Sequence, residues 1–176
     1  MKKQVLIISI LLHAILLIIV YIFQGIIFPF IRINGLVPLL LPIASTGVAL
    51  YEGRYYGGIT GLFAGILCDV SFNNPAGTFT VLLTILGLLI GTMADVIIMR
   101  GFVTYYLSCG VVLVISAFVQ MFPFIITPDQ SIPAQSLIST AVQQTIYSLL
   151  LAFPIWFLVR AISKHTDRLM LSGRIV

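Results

Sequence analysis

GLFAGILCD, residues 61–69, and GLLIGTMAD, residues 87–95, share one spacing, G-x-x-x-G-x-x-x-D, inside long apolar runs. Positions four apart stack on one face of an α-helix, so each stretch presents a stripe of small residues that ends in a carboxylate. In lipid, helices gain nothing by hiding leucine against leucine, and they associate where small residues let backbones approach. Gly57 and Gly58 extend the first stripe upstream, while Thr80 and Thr84 lead into Gly87 and Gly91 in the second. The pattern predicts two membrane helices packed as a tight hairpin along Gly57, Gly58, Gly61, Gly65, Gly87 and Gly91. The hairpin is joined through SFNNPAG, residues 71–77.

Composition supplies the lipid. Of the 176 residues, 60% are hydrophobic and 8% charged, with mean hydropathy +1.19, against about a quarter charged in soluble domains. Only helices and closed barrels pair every backbone group inside a bilayer. The apolar stretches are long and do not alternate, which favours helices over barrel strands. The first run, Val5 to Phe23, is longer than the apolar core of a secretory signal, and no small-x-small cleavage site follows. It is expected to be a retained helix. Cys68 and Cys109 show no metal-ligand spacing.

The expected fold is all-α, a single polytopic membrane domain over residues 1–176. Its six spans lie near 4–24, 36–51, 56–71, 77–99, 102–126 and 136–161, the second and third of them short. Pro154 is expected to kink the last. With six spans, one side collects Lys2, Lys3, Arg54, Arg100, Arg160, Lys164, Arg168 and Arg174, against Arg32 alone opposite. The positive-inside rule then puts both termini in the cytoplasm. The basic tail reads as a topology anchor attracted to anionic lipid headgroups. No basic stripe interleaved with aromatics points to nucleic acid.

Each aspartate falls near the C-terminal end of its helix, where the dipole disfavours an anion, so each needs a compensating partner. Asp69 is expected to order its turn through backbone amides and Asn73/Asn74, and Asp95 lies near Arg100. Two carboxylates sharing a proton must be about 3 Å apart, whereas the roughly 18 residues of the fourth helix separate these by about 27 Å. His13 is expected to be buried, neutral and hydrogen-bonded, and Glu52 and Arg54 to form an interfacial pair. No nucleophile elbow, zinc-protease or P-loop motif is present. The reading is therefore no enzyme, no cofactor and no metal.

These residues resemble a known family, the bacterial rod shape-determining membrane protein MreD. The resemblance rests on Phe28–Pro29, Gly35, Pro38, and LYEGRYYGGITGLFAGILCDVSFNNPAG at 50–77, ending on Gly77. It continues in Gly87, Gly91 and TIYSLLLAFPIWFLV at 145–159 with Pro154. Two positions depart from it. The family often carries an acid after the proline that opens helix two, where Leu39 stands, and asparagine where Ser148 follows Tyr147. The resemblance implies a non-enzymatic scaffold of lateral wall growth in the plasma membrane that binds MreC and sits with MreB, RodA and the elongation transpeptidase. It also implies a fold similar to the substrate-binding subunits of energy-coupling-factor vitamin transporters. That similarity provides the alternative reading, a vitamin-capture subunit whose outward pocket would draw on Asn73, Asn74, Thr127, Asp129 and Gln130.

Overall fold

The computed structural model describes residues 2–30, 37–72, 77–96, 101–126 and 134–172, and they are almost entirely helical. Helix α1 spans Lys2–Ile22 and runs on into a π-helical turn, Phe23–Ile27, and a 3-10 turn, Phe28–Phe30. Then come α2 (Leu40–Glu52), α3 (Arg54–Phe72), α4 (Thr78–Val96), α5 (Phe102–Ile126) and α6 (Ala134–Ser172). No β-strand occurs among the described residues. Four stretches are long and apolar enough to cross a membrane: Ile10–Ile27, Thr78–Val96, Phe102–Gln120 and Ile138–Lys164. The protein is a helical membrane protein.

Helix α2 organises the rest. Its residues from Leu40 to Leu50 are all buried, and it packs against α1, α3, α4, α5 and α6. A helix apolar on every side belongs inside a bundle, and LLPIASTGVAL has no polar face to turn outward. Its hydroxyls are absorbed locally: Ser45 and Thr46 both donate to the Pro42 carbonyl, at 3.0 and 2.7 Å. Pro42 sits in the first turn, where a missing N–H leaves no ladder bond unmade. With 13 residues, α2 is only about 20 Å long, short of the ~30 Å hydrocarbon layer.

A single residue, Gly53, links α2 to α3. Its φ of 88° is a conformation that side-chain-bearing residues rarely adopt. On the far side of α2, Tyr105 of α5 and Val159 of α6 crowd Gly47, where a Cβ would come within 3.1 Å of the tyrosine ring. Helix α6 continues unbroken through Pro154 and carries the basic tail onward as helix to Ser172, well beyond the boundary near 161 expected from sequence.

Candidate functional site

Among the described residues the tightest packing is between α3 and α4, and it is built on backbone. A Cβ on Gly57 would lie 2.5 Å from the Gly87 carbonyl oxygen, and one on Gly91 would lie 2.6 Å from the Arg54 Cα. A Cβ on Gly61 would run into the Leu83 carbonyl, and one on Gly65 into the Thr80 Cα. Gly58 differs, because the space a Cβ would take there is filled by the Leu88 side chain. The order of these contacts makes the two helices antiparallel.

At both ends of this seam the aspartate of one helix caps the other. Asp69, late in α3, accepts hydrogen bonds from the backbone N–H groups of Gly77 (3.0 Å), Phe79 (2.8 Å) and Thr80 (3.1 Å), and from the Thr80 hydroxyl (2.7 Å). The anion that the dipole of α3 disfavours therefore sits at the N-terminus of α4, where the dipole and the free amides favour it. Asp95, late in α4, accepts from the Arg54 N–H at 3.2 Å, at the start of α3. It also fills the space beside Gly53, where a Cβ would lie 2.7 Å from its Oδ1.

The two halves are images of one another. Each residue of GLFAGILCD has its counterpart 26 positions on in GLLIGTMAD, and the contacts obey the same shift. Gly57 on Gly87 mirrors Gly61 on Leu83, and the Thr80 bond to Asp69 mirrors the Arg54 bond to Asp95. The repeat encodes a local two-fold axis between antiparallel helices. The carboxylates fall at opposite ends of a 19-residue helix, about 28 Å apart, so they act as separate caps. Asn73, Asn74 and Arg100 lie outside the described residues, as do Thr127, Asp129 and Gln130.

A second polar site, to which no sequence motif pointed, holds the buried start of α2. Gln24, in the π-helical turn, accepts from the N–H groups of Leu40 and Leu41 at 3.0 and 3.1 Å. Ser148 of α6 accepts from the Leu39 N–H at 2.9 Å and donates to the Gln144 carbonyl at 2.7 Å. The Gln144 amide donates to the Val37 carbonyl at 2.9 Å. The signal for Gln24 was a lone amide at the end of an apolar run, next to Gly25. Its partners lie across a turn that no local pattern reveals.

His13 is fully buried, as expected, with its Nε2 3.7 Å from Glu52 Oε1 and its ring near Tyr56. Glu52 thus faces α1 and not Arg54, whose guanidinium lies over the Tyr55 ring at 5.5 Å. The residues are adjacent in sequence to a helix junction, but the reversal at Gly53 sends the two side chains to different surroundings.

The family model for the rod shape-determining protein MreD matches residues 5–165 of this chain. The chain belongs to the MreD family. Among curated proteins and solved structures, no match to the chain was found. Membership supports a role in determining rod shape, and the family is a structural one. In this MreD chain the two departures from the family pattern meet each other, because the Leu39 N–H is the group bound by Ser148. Both residues are buried, so this bond from a backbone amide to a hydroxyl lies inside the bundle.

Proposed function

We propose that this MreD protein is a non-enzymatic scaffold of the bacterial elongation machinery, supporting rod shape and lateral peptidoglycan synthesis by binding MreC. MreB, RodA and the elongation transpeptidase are its further neighbours. On this reading the chain crosses the plasma membrane six times with both termini in the cytoplasm, α2 and α3 being the thin crossings sheltered by longer ones. The observation that carries the proposal is the family match across residues 5–165. The close backbone packing of the α3–α4 seam supports it, since a scaffold needs a surface that holds its shape.

Recovery of MreC with the full chain in a mild-detergent pull-down is the expected result, together with rounding or lysis of rods when the protein is depleted. Co-purification with an ATPase module and a retained vitamin, without MreC, would overturn the proposal in favour of transport.

A further inference from the structure

We propose that the face formed by α5 and α6 at the end bearing Arg160 and Lys164 binds one anionic phospholipid, its phosphate on Arg160 and an acyl chain along α5. This goes beyond scaffolding and does not depend on which protein partners the chain has.

The headgroup end is set by α6. Phe153, Trp156, Arg160 and Lys164 follow one another three or four residues apart, which places them on one helix face. The Arg160 guanidinium stacks over the Trp156 ring at 4.8 Å. That ring is itself fixed, donating its indole N–H to the Tyr51 hydroxyl at 2.8 Å and meeting Phe102 edge-on at 5.0 Å. The cation is therefore held by an aromatic face, which leaves its planar fork of donors for an oxyanion. Among the side chains the structure describes, no carboxylate oxygen lies within 4.0 Å of the Arg160 guanidinium. Tryptophan and arginine at this level also mark the membrane–water interface.

The acyl end begins where the aromatic cluster stops. Phe102, the ring that braces Trp156, is also the first residue of an open groove of about 680 Å³. Val103, Leu107, Gly110, Val111 and Val114 of α5 line it, with Leu149 of α6 on one side. A Cβ on Gly110 would meet nothing within 4 Å, so no described residue uses the room this glycine leaves. A glycine inside a helix costs about 1 kcal/mol relative to alanine, and here no internal contact offsets it.

Size and charge choose the occupant. From Phe102 to Val114 the helix rises about 18 Å, close to the depth of one leaflet, about half of the ~30 Å hydrocarbon layer. A chain entering beside Phe102 is accommodated within the groove. A positive group at the mouth of an apolar slot complements a phospholipid of net negative charge.

The test uses the full-length protein, titrated with phosphatidylglycerol and with phosphatidylcholine and read by native mass spectrometry. The wild-type chain should retain phosphatidylglycerol in preference. Arg160→Gln should lower that retention about fivefold, the effect of one basic residue at an anionic surface, while leaving phosphatidylcholine unchanged. Gly110→Leu should lower retention of both lipids at unaltered thermal stability, because the new side chain extends into open space. Val81→Trp, at an exposed site on α4, should change neither. Unchanged phosphatidylglycerol retention in Arg160→Gln, or equal losses in Val81→Trp, would overturn the proposal. So would a Gly110→Leu chain that keeps both lipids but no longer recovers MreC, which would give the groove to a partner's helix.

Discussion

Gly65 and Gly110 are both glycines inside apolar helices, and they do opposite things. At Gly65 a Cβ would collide with the backbone of α4 and lie 2.7 Å from the Phe79 carbonyl oxygen; at Gly110 it would meet nothing within 4 Å. The α3–α4 seam spends its small residues on contact within the chain, whereas the outer face of α5 leaves the space open. Helices α4 and α5, of similar apolar content, thus divide between a closed interior joint and a surface available to something else. Hydropathy cannot separate the two, because lipid-facing and helix-facing surfaces are equally apolar.

Substitutions at four positions grade that contrast. Cys68 and Cys109 are free and buried, so the rate at which a thiol-reactive dye labels them during heating in detergent reports unfolding. Gly65→Leu should have the largest effect, about 3 kcal/mol or loss of the folded protein, because the side chain must force the α3 and α4 backbones apart. Wild-type labelling kinetics in that variant would mean the seam opens without cost. Asp69→Ala comes next at about 2 kcal/mol, the upper range for a lost helix cap, since it leaves four donors around α4 without their acceptor. Asp69→Asn should be milder than Gly65→Leu, because an amide oxygen still accepts.

Asp95→Ala should cost less, about 1 kcal/mol. Its bond from the Arg54 amide is exposed and long, at 3.2 Å, whereas those that Asp69 accepts are part-buried and shorter, at 2.7 to 3.1 Å. If the two aspartate variants melt together, the two-fold likeness extends to energetics and the difference in bonding is misleading. Gly110→Ala should be neutral or stabilise by up to about 1 kcal/mol. A clear loss at that position would show that the α5 face is packed and not open.

The seam was legible because its information is periodic: glycines four apart and an acid one turn further on define a face whatever lies opposite. The extents of α1, α4 and α5 lie close to those read from the length of their apolar runs. What lies across α2 was not. Leu39, Leu40 and Leu41 are bound by Gln24 and Ser148, from the first and last helical stretches, and no local spacing connects such distant positions. Glu52 was read with its neighbour Arg54 because they are two residues apart, yet its partner is His13. A helix reversal made on one glycine outweighs proximity in sequence.

The buried start of α2 also sets a timetable. Its backbone is held at one end from the opening helix and at the other from Ser148 and Gln144 in α6. In a non-aqueous medium those groups have no water to fall back on. The centre of the protein therefore cannot reach its final form while the ribosome is still translating α5, and release of α6 is the event that locks it. A chain stalled before Gln144 should be recognised by quality-control proteases as unfinished, however many of its helices already lie in the membrane.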